Sequence, residues 1–219
     1  MRLYKFKGVA DALYALDIAI HERLYCAKYA DLNDPFEGQF RTIVKPRGGD
    51  FSLQFGANFG PPARIVYTDA DLAQLTGGKK VCSLTTAWDD VRMWAQYGDS
   101  FRGLAFEFEV DPEHPQLRQV SYVDELPKIA TGLLSTSTAE DVLSHKTHHW
   151  SFEAEWRFIS DQDYVHLGGC LRRILLGNRV PTAVREAILK IAPRETTVHP
   201  VGLDPEGIRM AIRPALERP

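Results

Sequence analysis

The sequence predicts a mixed α/β or α+β fold built as one domain, and three observations carry that prediction. Short runs of alternating apolar and polar residues, as at 103–110, read as half-buried strands. Apolar residues at helical spacing, as Val9, Leu13, Leu16 and Ile20, interrupt them. No internal repeat, low-complexity tract or linker divides the 219 residues, and 44% hydrophobic with 25% charged composition is enough to bury a full core.

In chain order, residues 2–6 read as a strand and 9–20 as an amphipathic helix, with strand again at 23–27. Asn33-Asp34-Pro35 is a turn former, because Asn and Asp bond their own backbone and Pro fixes φ. A strand-like run at 36–44 leads into 46–62, a Gly- and Pro-rich stretch that reads as a long loop of the kind used as a lid. A helical turn is expected at 69–74, a strand at 80–85, and a short helix opened by acidic residues at 89–97. The 103–110 strand should have one core face and one wet face, since Leu104, Phe106, Phe108 and Val110 alternate with Ala105, Glu107 and Glu109. Strand is expected at 117–122, 173–176, 196–201 and 208–212, and helix at 138–149 and at 181–191, where Pro181 suits the first turn.

Composition excludes some classes of function. A net charge of −3 and a pI near 6.2 argue against broad nonspecific attachment to nucleic acid. Residues 1–6 lack the apolar run of a signal peptide and no stretch has the length of a membrane span, so a cytoplasmic location with no membrane partner is expected. Cys26, Cys82 and Cys170 are scattered without metal-ligand or disulfide spacing and read as buried thiols. No nucleophile elbow and no phosphate-binding glycine loop is present; Gly48-Gly49 and Gly77-Gly78 are isolated pairs.

The segment 146–158 carries the most chemistry. Read as a continuous strand, it puts Phe152, Ala154, Trp156 and Phe158 on an apolar core face and Glu153, Glu155 and Arg157 on the other. That polar face is either solvated surface with a local ion pair or the wall of a polar cleft. His145, His148 and His149 lie near Glu153 and Glu155, and His145 and His149 would share a helix face, so a metal-dependent hydrolase or nuclease is one reading, though no third ligand has a recognisable spacing. Trp88, Met93, Trp94 and Tyr97 form an aromatic group that is either core or, with a ring in a cleft, a platform for a planar ligand.

Leu3-Tyr4-Lys5-Phe6, Asn33-Asp34-Pro35-Phe36-Glu37, Cys82-Ser83-Leu84, Met93-Trp94 with Tyr97, Gly103, Val120 with Tyr122, and Lys146 with Trp150, Phe152, Glu153, Glu155 and Arg157 together resemble the bacterial family called domain of unknown function 2971. More distantly, the order of a first strand ending in a polar residue, a later strand bearing Ser83, and a final Glu-x-Glu strand is similar to the ADP-ribosyltransferase superfamily. That resemblance implies a split, mostly antiparallel sheet flanked by helices and NAD as substrate. Glu155 would be the catalytic carboxylate that stabilises the ribosyl oxocarbenium, and Glu153 would help orient an acceptor. Tyr4 or Lys5 falls where the superfamily has Arg or His; Ser83 and Thr85 would support the site, and Trp94 or Tyr97 would stack on nicotinamide. Lys146 or Arg157 would meet the pyrophosphate, or Arg157 would pair with Glu155. The acceptor is open among protein, nucleic acid, small molecule and water, and the superfamily implies a toxin or defence effector. The competing reading is a noncatalytic recognition or regulatory domain using the 46–62 loop, with Glu153 and Glu155 in open water.

Overall fold

A computed structural model of the chain describes residues 1–32, 34, 41–44, 76–126, 128–131, 138–204 and 210–218. In chain order its strands are β1 (Arg2–Lys7), β2 (Arg23–Tyr25), β3 (Ala27–Lys28), β4 (Arg41–Val44), β5 (Lys80–Thr85), β6 (Leu104–Glu109), β7 (Leu117–Gln119), β8 (Ser121–Val123), β9 (Lys128–Thr131), β10 (His145–Thr147), β11 (Glu155–Ser160), β12 (Tyr164–His166), β13 (Leu171–Leu176), β14 (Thr197–Leu203) and β15 (Met210–Ile212). The helices are α1 (Ala12–His21), α2 (Val91–Gln96), α3 (Ala139–Leu143) and α4 (Thr182–Ile191). The fold is therefore α+β, with a mostly antiparallel open sheet and few helices.

The main sheet runs β15-β14-β13-β6-β1-β5-β11-β7, with β3 added to β5; only β13 and β14 pair in parallel. Both faces of its centre are covered. On one side Leu3, Phe106, Phe108 and Ile174 pack with Ala15, Ile18 and Ala19 of α1 and Ile188 of α4. On the other, Tyr4, Phe6, Ala105 and Leu175 pack with Met93 and Trp94 of α2. This corrects two expectations. Glu107 is 2% exposed, so β6 has no wet face and only Glu109 reaches solvent. α1 forms, but it buries the stripe Ala15, Ile18 and Ala19, leaving Leu13 and Ile20 exposed. Its first expected turn is a 3-10 turn at Val9–Asp11, which starts the α-helix later and rotates the buried face.

The helix expected at 138–149 is reduced to α3, with Thr138 and Asp141 closing a capping box, before the chain extends into β10. The turn at 33–35 apart from Asp34, residues 36–40 of the 36–44 strand, the 46–62 loop and the 69–74 turn lie outside the described residues. Among the described residues no helix is long and apolar enough to cross a membrane.

The feature that positions the site is a divergence in the sheet. β1 pairs with β6 along its whole length, from Arg2↔Glu109 to Lys7↔Leu104, but meets β5 at one pair, Tyr4↔Thr85. The other end of β5 is taken by β3, through Ala27↔Val81 and Lys28↔Lys80. Between those ends the two edges part. Backbone groups at such a gap need other partners, and the Ser83 carbonyl accepts from Lys5 Nζ at 2.9 Å. Gly103 holds the far end of β1 in place, because a Cβ there would sit 2.3 Å from the Lys7 carbonyl oxygen and 3.1 Å from Gly8 Cα. Backbone cannot yield as a flexible side chain does. Gly103→Ala is expected to lower stability by about 2 kcal/mol, a fall of roughly 4–8 °C in a thermal melt. Gly168→Ala, where a Cβ meets open space, should stay within about 0.5 kcal/mol of wild type.

Candidate active site at the split in the sheet

The divergence of β1 from β5 opens a cavity of about 610 Å³. Its walls include Tyr4, Lys5 and Lys7 of β1, Ser83 and Thr85 of β5, Tyr97 after α2, Lys146 of β10, and Glu153, Glu155 and Arg157. Register explains the convergence of Tyr4, Ser83, Thr85, Glu155 and Arg157, since antiparallel partners carry side chains on the same face, while Lys5 and Lys7, which alternate with Tyr4, border the cavity along the gap itself. Glu155 pairs with Thr85 and Arg157 with Ser83, while Thr85 pairs with Tyr4.

The acidic segment is not one continuous strand. Residues His148–Glu153 form a 3-10 turn, Ala154 is left-handed at φ 42°, and β11 starts at Glu155. A non-glycine residue in that region costs about 1 kcal/mol or more. The kink is tied down from β5: the Thr85 hydroxyl donates to the Glu153 carbonyl and accepts from the Ala87 N–H at 2.8 Å. The alternation expected for Glu155, Trp156, Arg157 and Phe158 holds, whereas Glu153 reaches the same cavity through the turn. Burial is the reverse of a solvated polar face: Glu153, Glu155 and Arg157 are 3%, 3% and 1% exposed, while Phe152 and Trp156 are only partly buried.

Lys146 joins the two carboxylates, with Nζ 2.5 Å from Glu153 Oε2 and 3.2 Å from Glu155 Oε2. Arg157 grips Glu155 from the other side, Nε to Oε1 at 2.8 Å and Nη2 to Oε2 at 3.1 Å, and gives Nη1 to the Leu143 carbonyl at 2.6 Å. Tyr97 donates its hydroxyl to Glu153 Oε1. The Glu155 N–H donates to Tyr122 Oη at 2.8 Å, and the parallel register of β10 with β8 sets Lys146 beside Tyr122.

The carboxylates are driven apart in acidity. Burial alone would raise Glu155, but Arg157 and Lys146, with the Ser83 hydroxyl, outweigh it and hold the carboxyl below its usual range. Burial dominates at Glu153 and raises it, against the pull of Lys146 and Tyr97 and with the help of the Glu155 charge. Two neighbouring carboxyls with separated affinities can divide the work of a charged stabiliser and a proton carrier.

Lys5, Ser83, Thr85 and Tyr97 line the cavity together with Glu153 and Glu155. Tyr4 also lines it, but its hydroxyl donates to Glu107 Oε2 at 2.7 Å. Trp94 does not serve as a platform: it is 0% exposed, crosses Phe6 edge-on, stacks on Phe101 and donates Nε1–H to the Trp88 carbonyl. Its ring is core because α2 turns that face onto the sheet. Lys146 and Arg157 are held by Glu153 and Glu155, which favours the ion-pair reading of Arg157. His145 lies in β10 and His149 in the following 3-10 turn, so the shared helix face does not exist, and among the described residues no group of three or more His, Cys, Asp or Glu could hold a metal ion. Two residues to which the sequence assigns no site role also contribute: Lys7, two beyond Lys5 on the same strand, lines the cavity, and Tyr122 holds the Glu155 backbone. Compared with family models, with curated proteins and with solved structures, the chain matches none.

The opposite shifts fix opposite pH dependences. Glu155, lowered from its ordinary 4.5, stabilises the fold above that pH, and the contribution is lost as pH falls through its folded value. Glu153, raised from 4.5, contributes fully below that pH and loses its contribution as pH rises through its folded value. Glu155→Gln leaves Arg157 buried without its carboxylate and should cost about 3–5 kcal/mol near neutrality, with a smaller cost in acid. Glu153→Gln should show its larger cost in acid. Urea unfolding of both variants between about pH 3.5 and 7.5 measures the two trends.

Proposed function

We propose that this chain is an NAD-consuming enzyme, an ADP-ribosyltransferase or NAD glycohydrolase, that takes its substrate in the cavity between β1 and β5. The observation that carries this reading is the convergence of Lys5, Ser83 and Glu155 on one cavity, with the Glu155 side chain buried in its wall. The reading also agrees with the distant resemblance of the sequence to the ADP-ribosyltransferase superfamily.

Breaking the bond between C1′ of the ribose and the nicotinamide nitrogen sends the bonding pair to nicotinamide and leaves positive charge on the sugar. A carboxylate ionised before the reaction and fixed by two cations stabilises that charge without reorganising. Glu155 has this character. Nicotinamide leaves neutral, with Tyr97 as the aromatic ring available beside it. Glu153 then accepts the proton of the attacking hydroxyl or water as its oxygen bonds to C1′, a role suited to a carboxyl whose affinity for protons is raised.

Two other readings lose their support. A recognition surface that leaves Glu153 and Glu155 in open water does not fit their burial, and a metal centre on His145 and His149 lacks the shared helix face. Incubation with NAD is expected to release nicotinamide, detected chromatographically. Glu155→Gln should slow release about a hundredfold or more, the scale of losing one preorganised electrostatic contact. Wild-type protein that releases none, alone or with supplied acceptors, would overturn the reading.

A further inference from the structure

We propose that Lys5 and Lys7 form an anion subsite on the β1 wall of the cavity, built for the diphosphate of the ligand whose ribose lies against Glu155. The inference rests on the functional reading above and assigns Lys7 a binding role.

The cavity's cations divide into two kinds. Lys146 and Arg157 contact Glu153 and Glu155 at 2.5–3.2 Å, so that wall is charge-matched from within. Lys5 instead meets the Ser83 carbonyl at 2.9 Å and the thiol of Cys82, and among the described residues no carboxylate is bonded to it. Lys7 has Asp11 at 3.9 Å, with half of that aspartate's side chain in solvent, and the face of Tyr14 at 4.7 Å. Asp31 and Asp99 also line the cavity; Asp31 is exposed and Asp99 pairs with Arg102 at 2.9 Å.

Lys5 and Lys7 are two apart on one strand, so they share a side and stand about 6.6 Å apart along it, a spacing that spans two linked phosphates. The proximity of the two positive charges is unfavourable. Burial first and the Lys5 charge second lower Lys7 to about 8, against the opposing effects of Asp11 and Cys82. A diphosphate at this wall would reverse both effects, replacing lost hydration with charge-assisted hydrogen bonds.

The test is calorimetric titration of the full chain, as wild type, Lys7→Gln and Lys7→Arg, with inorganic pyrophosphate, ADP and adenosine at low salt. Pyrophosphate and ADP should bind wild type, adenosine at least about tenfold more weakly; Lys7→Gln should weaken both anions about tenfold, the scale of one hydrogen bond to a charged group, and Lys7→Arg should retain them. Above pH 8, binding to wild type should take up a proton, and binding to Lys7→Arg should not. Lys7→Gln removes a half-buried charge, so its melting temperature near neutrality should equal or exceed that of wild type, which separates lost binding from lost folding.

Pyrophosphate that fails to bind, or that binds Lys7→Gln as well as wild type, overturns the subsite, as does adenosine binding as tightly as ADP. If Lys7→Gln does not fold, the proton-uptake difference between wild type and Lys7→Arg decides. Lys7-dependent anion binding without NAD turnover upholds the subsite and removes the enzymatic reading. Turnover that Lys7→Gln leaves unchanged in KM does the reverse.

Discussion

The single pairing of β1 with β5, Tyr4 opposite Thr85, is the constraint on which the rest of the molecule depends. The pair sits in a polar row across five strands: Arg173, Glu107, Tyr4, Thr85 and Glu155 are successive register partners. Arg173 and Tyr4 both bond Glu107, so the β1 side of the row is internally satisfied. The Thr85 hydroxyl bonds the Glu153 backbone, so the β5 side is fastened to the turn that carries the acid. Side-chain bonds thus tie each side of the row to its own partners, the Lys5 bond to the Ser83 carbonyl bridges the gap, and the cavity lies between the two sides.

Burying four charged side chains in one wall is costly, and such clusters are weak sources of stability. Glu153, Glu155, Lys146 and Arg157 balance in formal charge, and each carboxylate meets a cation within 3.2 Å. The arrangement separates two carboxyls that share one lysine. Arg157 lies against Glu155, while Glu153 is opposed by the Glu155 charge and reinforced by a phenol. Such separation is common at reactive sites. The left-handed Ala154 fits the same account, since strain of that kind persists where surrounding contacts enforce it.

Much of this was legible in the sequence, for reasons that can be named. Strands at 2–7, 80–85 and 104–109 follow from two-residue alternation, and the same period places Glu155 and Arg157 together. Periodicity does not say what covers a face. It therefore missed that α2 and the main core enclose both sides of β6 and bury Glu107, and that the charged side of 153–157 is the more deeply buried one. Two overlapping stripes exist on α1, and docking against α4 selects the smaller residues Ala15, Ile18 and Ala19, a choice made by tertiary contact. The aromatic group at 88–97 gave no sign of which ring would be core, and packing put Trp94 inside and Tyr97 at the cavity.

The central claim is that the parting of β1 from β5 opens a ligand site, and a crystal structure of the full chain with a carbocyclic NAD analogue, which cannot lose nicotinamide, tests it most directly. The account predicts the analogue within the gap, its ribose-like ring hydrogen-bonded to Glu155 and its diphosphate between Lys5 and Lys7. An analogue seated elsewhere on the molecule, with no contact to Glu155, would contradict it.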